Sequence, residues 1–103
     1  MIARVWHGET TAELAPRYAE HLERSVFPEL RTIDGHHEGY LLQRRTGERV
    51  SILVITFWSS MDAVHAFAGD DPETAVVEPA ARAVLCDFDE TVNHYDVVLG
   101  GRD

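Results

Sequence analysis

The segment spanning residues 50–58 constrains the fold of this chain more than any other feature. It reads Val-Ser-Ile-Leu-Val-Ile-Thr-Phe-Trp, a composition typical of a β-strand. Side chains alternate across a strand, so one face receives Leu53, Ile55 and Phe57, and the other receives Ile52, Val54, Thr56 and Trp58. Both sets are largely apolar, and we therefore expect this strand to be buried on both faces.

Three more segments carry a strand-like pattern, namely residues 2–7, 36–45 and 91–99. The Thr46-Gly47-Glu48 turn predicts a hairpin between the second of these segments and residues 50–58.

Two helices are predicted between the strands. The first follows a capping-box signal at Thr10 and Glu13, and its apolar side chains recur at helical spacing at Leu14, Tyr18, Leu22 and Val26. Pro16 is a flaw in this helix, and Pro28 is expected to end or bend it. The second helix is capped by Ser59 or Ser60, carries its apolar stripe at Met61, Val64, Phe67 and Ala68, and stops at Gly69.

The element order is strand, helix, strand, strand, helix, strand. This order predicts an α+β, ferredoxin-like βαββαβ fold with a four-stranded antiparallel sheet, in which the first and third strands are central. Residues 73–86 are expected to form short helical pieces around Pro79. The length of 103 residues predicts a single domain over 1–103, in which residues 100–103 are a loose tail.

Two helices on one side of the sheet leave its other face without cover. Small Ala3 and Val5 suit the helix-covered face, which would place Ile2, Arg4 and Trp6 with Trp58 on the uncovered face. An exposed face with two tryptophans would be adhesive, so we expect a homodimer formed through it. In the last strand Tyr95, Val97 and Leu99 are the better helix-facing set, which turns His94 and Asp96 toward the uncovered face.

Charge and composition exclude several classes of partner. Nine basic and 18 acidic residues give a net charge of −9, which disfavours nucleic acids and anionic membranes. No apolar run approaches the ~20 residues that a membrane helix needs, and the first six residues lack a signal-peptide pattern. The lone cysteine, Cys86, has no partner for an internal disulfide, and a cytoplasmic location is therefore expected.

The uncovered face also carries the candidate site, because it combines aromatic surface with the Arg4 cation and the Thr56 hydroxyl. A buried arginine needs an opposite charge, which would come from Asp96, from a partner chain or from an anionic ligand. His94 shares its face with Asp96, which suits either an oriented general base or an ordinary polar pair. Trp6 and Trp58 fit the core of a dimer as well as the wall of a pocket. The adjacent histidines at positions 36 and 37 point to opposite faces, so no metal site is expected there.

These segments resemble the antibiotic biosynthesis monooxygenase superfamily of dimeric α+β barrels. The resemblance is carried by Met1-Ile2-Ala3-Arg4-Val5-Trp6, by the strand that ends in Trp58 with the following segment 59–67, and by His94-Tyr95-Asp96-Val97-Val98. It implies a homodimer in which two sheets enclose a barrel-like core, with one pocket per chain between sheet and helices.

The resemblance also implies a function, that of a monooxygenase which needs no cofactor and acts on a small aromatic or quinone-like compound. Trp6 and Trp58 would form an aromatic slot, His94 would accept a proton and Arg4 would hold a phenolate. Thr56, Tyr40 and Asp96 would contact the substrate. Haem degradation is disfavoured because residues 73–86 contain no histidine. The alternative is a non-catalytic dimeric module that binds a small ligand or stabilises an assembly.

Overall fold

The computed structural model describes residues 1–100, which fold around one antiparallel sheet. Its strands are β1 (Ile2–Thr11), β2 (His36–Thr46), β3 (Arg49–Trp58), β4 (Asp87–Phe88) and β5 (Asn93–Asp96). The order across the sheet is β2-β3-β1-β4, and β5 pairs with β1 as well. Because β4 and β5 follow one another along the same edge of β1, they take the place of the single fourth strand that was predicted. The α+β, ferredoxin-like architecture with central β1 and β3 is confirmed.

The helices are α1 (Ala15–His21), α2 (Phe27–Leu30), α3 (Met61–Ala68) and α4 (Pro79–Arg82). A π-helical segment, Leu22–Val26, joins α1 to α2, so residues 15–30 are helical without interruption. The Ser60 hydroxyl accepts a hydrogen bond from the Ala63 amide, and Gly69 ends α3 with a positive φ of 82°, as the sequence predicts.

The first helix begins later than its capping-box signal suggests. Strand β1 continues to Thr11, and Thr10 lies buried within it, where its hydroxyl donates to the Val84 carbonyl oxygen at 2.6 Å. The N-cap position of α1 is Leu14. Pro16 therefore falls in the first turn, where the missing amide would have had no intrahelical acceptor, and it is not a flaw.

The π-helical segment lies just before Pro28, the residue expected to end or bend the helix. Proline has no amide hydrogen to donate, and its ring crowds the carbonyl one turn earlier. The helical turn before Pro28 instead contains one extra residue, and the Phe27 amide donates to the Leu22 carbonyl oxygen in the i to i−5 pattern of a π-helix. The helix thus continues through Pro28 to Leu30.

The assignment of sheet faces made from the sequence is wrong. Alternate residues of β1, namely Arg4, Trp6, Gly8 and Thr10, are buried beneath the helices. The register places Arg4 opposite Thr56 and Trp6 opposite Val54, and so the β3 residues with Trp58 lie on this covered face too. The open face carries Ala3 and Val5 with the other β3 set. The bulky indoles are needed to fill the space between sheet and helices, which small side chains leave empty.

The end of the chain also differs from its prediction. Only Asn93–Asp96 of the predicted strand 91–99 pairs with β1. The predicted helix-facing set is wrong, because Tyr95 is 56% exposed on the open face beside Ala3 and Leu99 is 92% exposed. Of the predicted tail, residues 101–103 lie outside the described residues. The single-domain organisation over 1–103 stays a prediction.

Candidate functional site

A cavity lies between the helix-covered face of the sheet and the helical stretch 15–30. Its volume is about 70 Å³. Its walls come from the sheet, from the helical stretch and from the segment 76–81, which covers it. The lining residues are Arg4, Trp6, Val54, Thr56 and Val92 of the sheet side, Tyr18, His21, Leu22, Val26, Leu30 and Phe67 of the helices, and Val76, Val77, Glu78 and Ala81 of the cover.

Arg4 is the charged group at the floor of this cavity, and it is only 5% exposed. Its Nη1 donates to the Pro72 carbonyl oxygen and lies 3.0 Å from His94 Nε2, and its Nη2 donates to the Thr74 carbonyl oxygen at 3.3 Å. The guanidinium also lies 5.7 Å from the centroid of the Phe67 ring, within cation–π range. The backbone of the segment after α3 therefore fixes the arginine in place.

Arg4 nevertheless keeps an unbalanced charge. No carboxylate of residues 1–100 forms a salt bridge with it, so of the three sources of counter-charge considered from the sequence, Asp96 is excluded, and a partner chain or an anionic ligand remains. Burial lowers the pKa of Arg4 to about 10, since carbonyl dipoles replace water only in part. A guanidinium has five N–H donors, and the three contacts engage at most three of them. The remaining donors are free for an anion.

His94 lies beside Arg4, as the pairing of the two residues across β5 and β1 requires. It is not among the residues that line the cavity. Burial, and secondarily the positive charge of Arg4, lowers the pKa of His94, which favours the neutral imidazole. In that form Nε2 accepts the hydrogen bond from Arg4. The histidine therefore orients the arginine, and its role as proton acceptor stays a prediction.

The two tryptophans occupy different positions. Trp6 lines the cavity, its indole donates from Nε1 to the Asp89 carbonyl oxygen at 2.7 Å, and its ring lies over Gly8, where a Cβ would stand 2.9 Å away. Trp58 is completely buried behind Thr56, to whose hydroxyl it donates at 2.9 Å. Trp58 is therefore part of the core beneath α3, and Trp6 is the aromatic wall.

Tyr40 and Asp96 do not line this cavity, contrary to the prediction that groups them with it. Tyr40 pairs across from Ile55 on the open face, where its hydroxyl donates to Glu38. Asp96 shares the covered face with Arg4, but it lies past the end of the cavity and is exposed. Of the seven predicted residues, the structure thus brings together Arg4, Trp6 and Thr56 in the wall, with His94 behind Arg4.

Two polar residues of the wall, Tyr18 and His21, are not among the predicted site residues. Tyr18 belongs to the apolar helical stripe predicted for α1. Both are on α1 and line the cavity, and His21 Nε2 is buried without a hydrogen bond among residues 1–100. Their i, i+3 spacing on a helix that covers a sheet was the available signal, because such residues share a face.

In this conformation the cavity is too small for a porphyrin or for an aromatic ring. An apolar cavity of about 150 Å³ is known to admit benzene, and ligand pockets usually span about 300–1,000 Å³. Binding of a ring therefore requires the cavity walls to move apart, and the segment 76–81 is one of these walls. Where it meets α1, His21 Nε2 and Glu78 Oε2 stand 3.8 Å apart.

Residues 1–100 contain no cluster of three or more histidine, cysteine, aspartate and glutamate side chains able to hold a metal ion. In the same range no helix has the length and hydrophobicity to cross a bilayer. The cytoplasmic location stays a prediction.

Comparison with solved structures identifies the same architecture elsewhere. A proposed antibiotic biosynthesis monooxygenase from Bacillus cereus superposes with a TM-score of 0.69 at 11% identity, over 99% of this chain and 97% of that chain. MhuD, the haem degrader of Mycobacterium tuberculosis with two haems in its active site, gives 0.69 at 20% identity over 99% and 100%. A variant of MhuD with two manganese protoporphyrin IX molecules per active site gives 0.71 at 21% identity over the full length of both chains.

No family model matches the sequence. No curated protein matches it either. The chain has the fold of the antibiotic biosynthesis monooxygenase proteins, and the resemblance drawn from its sequence is confirmed at that level. Identities of 11–21% establish the fold alone.

Proposed function

We propose that this protein is a homodimeric, cofactor-independent monooxygenase that acts on a small aromatic anion in the cavity beneath α1. One observation carries the proposal, namely a buried guanidinium without a carboxylate at the floor of a largely apolar cavity. An unpaired buried charge costs several kcal/mol unless a counter-charge compensates it, and a phenolate or enolate would be that counter-charge.

The chemistry requires a substrate that reduces oxygen by itself. Loss of a proton from an activated C–H group gives a carbanion whose charge resides largely on the phenolate oxygen. That carbanion transfers electrons to O₂, one oxygen atom becomes the new carbonyl and the other leaves as water. A CH₂ group oxidised to C=O supplies the four electrons that O₂ accepts, so no external reductant is needed.

The residues of the cavity fit the parts of this reaction. Arg4 would bind the anionic oxygen and stabilise charge that develops there, and Trp6 and Thr56 would form the wall against the ring. His94 Nε2 accepts from Arg4 Nη1 in the ligand-free protein, so its lone pair becomes available for proton transfer only when the bound anion draws the guanidinium away from it. A neutral imidazole with a lowered pKa can then accept the proton.

The homodimer would form through the open sheet face. That face carries a contiguous apolar surface whose larger members are Tyr40, Leu42, Leu53, Ile55, Phe57 and Tyr95. Such surfaces are rare on monomers, and a second copy would bury it sheet against sheet. Both faces of β3 would then be buried, as its sequence predicts.

Oxygen uptake with anthrones and dihydroxynaphthalenes tests the proposed reaction. Wild-type protein should consume oxygen with at least one of these substrates. Arg4→Gln should lower kcat/KM at least 100-fold, and His94→Ala should lower kcat 100-fold or more. The surface variant His37→Ala should retain wild-type activity. Equal rates in wild type and Arg4→Gln would contradict the proposal.

A non-catalytic ligand-binding module is the second candidate, and the small volume of the cavity favours it. Under this reading, aromatic anions bind in an Arg4-dependent manner, and no oxygen is consumed with any of them. Titration by tryptophan fluorescence, run in parallel with the oxygen electrode, separates the two candidates, because Trp6 lies in the cavity wall.

Haem is the competing ligand, since two of the similar structures hold porphyrins. A porphyrin would require a far larger opening of the cavity of about 70 Å³ than a single aromatic ring does, and we propose no step through haem. Titration with haemin checks this point. A saturable Soret shift at one or two equivalents per chain would show that the ligand is a porphyrin and not an aromatic anion.

A further inference from the structure

Two polar side chains of α1 face the cavity, and within residues 1–100 the hydroxyl of Tyr18 and Nε2 of His21 have no hydrogen-bond partners. Tyr18 is 4% exposed, and its hydroxyl has no hydrogen-bond partner among residues 1–100. His21 Nε2 is buried and unbonded, and the closest acidic oxygen, Oε2 of Glu78, lies at 3.8 Å, beyond hydrogen-bond range. Residues at i and i+3 are neighbours on a helix surface, so the two groups belong to one patch.

Unsatisfied buried polar atoms are rare, and His21 Nε2 is one of them; together with the Tyr18 hydroxyl beside it, it calls for a ligand or water. Burial raises the pKa of Tyr18, so the phenol stays protonated and is a donor. An imidazole nitrogen donates or accepts according to its tautomer. A hydroxyl group complements both side chains in either case, because its oxygen accepts from the tyrosine and it can either donate to the histidine nitrogen or accept from it.

The charges of the cavity fix the direction of such a ligand. Arg4 supplies the positive charge, and Glu78 lines the cavity close to His21. The Trp6 ring, which follows Arg4 on the same face of β1, lies 6.3 Å from the Tyr18 ring. Tyr18, on the helical wall, thus lies beside Trp6, the residue that follows Arg4 on the covered face of β1. An anionic oxygen is attracted to Arg4 and repelled by Glu78, so the end near α1 must be neutral.

We infer, on the footing of the function proposed above, that Tyr18 and His21 form a hydroxyl-binding subsite. The ligand class is then an aromatic anion that carries a hydroxyl group at the end remote from its charge. Arg4 binds the anionic end, Trp6 contacts the ring and the subsite binds the hydroxyl. This narrows the substrate to compounds with two separated oxygen functions.

Benzoate and 4-hydroxybenzoate test the subsite, because they differ only by the hydroxyl and neither can be turned over. Binding is followed by fluorescence of the Trp6 wall and by calorimetry. Wild-type protein should bind 4-hydroxybenzoate about five- to tenfold more tightly than benzoate. Tyr18→Phe should remove this difference and leave the benzoate affinity unchanged, and His21→Ala should reduce it. Tyr95→Phe, on the open face, is the matched control.

The outcomes separate this inference from the proposed function. Arg4→Gln tests the anion site, because it should abolish the binding of both benzoate and 4-hydroxybenzoate. Tyr18→Phe tests the subsite alone, because it should abolish only the preference for 4-hydroxybenzoate. Equal affinities in wild type, a preference that persists in Tyr18→Phe, or no binding of either compound at millimolar concentration would overturn the subsite. The Tm of ligand-free Tyr18→Phe should equal or exceed that of wild type, whereas a purely structural tyrosine would lower it when truncated.

Discussion

Trp58 and Trp6 show how two residues of one type on one sheet face serve different purposes. Both were assigned from the sequence to a shared aromatic slot. Trp58 packs against Phe67 at 5.8 Å and is entirely enclosed, whereas Trp6 borders empty space. The difference arises because side chains near α3 cover the Trp58 ring, whereas the Trp6 ring borders the cavity. The alternation of residues along a strand predicts the face on which a ring lies, but not which helix covers it.

Trp58→Ala should be among the most destabilising substitutions in the chain. Removal of a fully buried indole leaves a cavity beneath α3, and such truncations cost about 3–5 kcal/mol. Urea denaturation followed by circular dichroism measures the change. Leu99→Ala is the control, because a side chain at 92% exposure contributes within about 0.5 kcal/mol. A loss below about 1 kcal/mol for Trp58→Ala would contradict the burial described here.

His94 makes stability dependent on pH. Burial and the charge of Arg4 lower its pKa in the folded state, so below about pH 6.5 the unfolded chain binds more protons than the native one. Stability from this group is therefore full above pH 6.5 and is lost as the pH falls toward the folded-state pKa. His94→Gln, whose amide oxygen still accepts from Arg4, should make the free energy of unfolding fall less steeply between pH 7 and pH 5.

The free energy of unfolding of wild type and of His94→Gln is measured by urea denaturation at several pH values. Carboxylates contribute equally to the pH dependence of both proteins, so the difference between the two slopes reports on His94. One group changes the slope by at most about 1.4 kcal/mol per pH unit. Identical slopes for wild type and His94→Gln would show that the histidine titrates alike in the folded and unfolded chain.

Among the elements, the strands and α3 were predictable because their signals are local. The hairpin at 46–48, the Ser60 cap and the Gly69 stop follow from residues within four positions of one another. The start of α1 was misplaced because Thr10 is recruited by a distant carbonyl, that of Val84. The split β4–β5 edge likewise depends on contacts with β1 that no local pattern contains. The short α4, by contrast, lies in the segment around Pro79 that was expected to form short helical pieces.

Gly35 fixes the junction between α2 and β2 against α3. Its φ is +92°, and a Cβ at this position would stand 2.6 Å from the Cβ of buried Ala63. Gly35→Ala should cost about 2–5 kcal/mol, since a positive φ costs about 1–2 kcal/mol and overpacking about 1–3 kcal/mol. Gly47→Ala is the matched control, because Gly47 has a φ of +61° with open space around it and should cost only the first part. Equal losses in the two variants, measured by urea denaturation, would remove the steric argument.

At the scale of the whole molecule, the sequence predicted that the sheet has two apolar faces and failed to predict which of them the helices cover. Both β3 sets are apolar, so hydrophobicity does not distinguish the faces. The two faces differ at Arg4. A charged side chain is not expected beneath helices, but here the carbonyl oxygens of Pro72 and Thr74 accept hydrogen bonds from its guanidinium. The cavity residues on β1 and β3, namely Arg4, Trp6 and Thr56, could be predicted from the sequence. The residues that α1 contributes, Tyr18 and His21, were not predicted.

Leu53→Glu should convert the proposed dimer to a monomer. In a twofold interface each substitution occurs twice, so two carboxylates would be buried in an apolar contact. Leu53 is exposed in the isolated chain, and folding should be unaffected. Sedimentation at micromolar concentration should give a dimer mass for wild type and for the control Ala66→Glu, which adds the same charge on exposed α3, and a monomer mass for Leu53→Glu. A wild-type monomer would refute the interface.

The net charge of −9 opposes this association, because two copies bring together two strongly acidic molecules. Salt screens that repulsion, and the Debye length falls from about 30 Å at 0.01 M to about 8 Å at 0.15 M. The dissociation constant of the dimer should therefore fall severalfold over this range, since an apolar interface loses nothing to screening. Glu13→Lys with Glu23→Lys, both on the exposed helical side, removes four units of negative charge per chain and should flatten the dependence. A dissociation constant that rises with salt would mean that ion pairs, rather than the apolar sheet face, hold the protomers together.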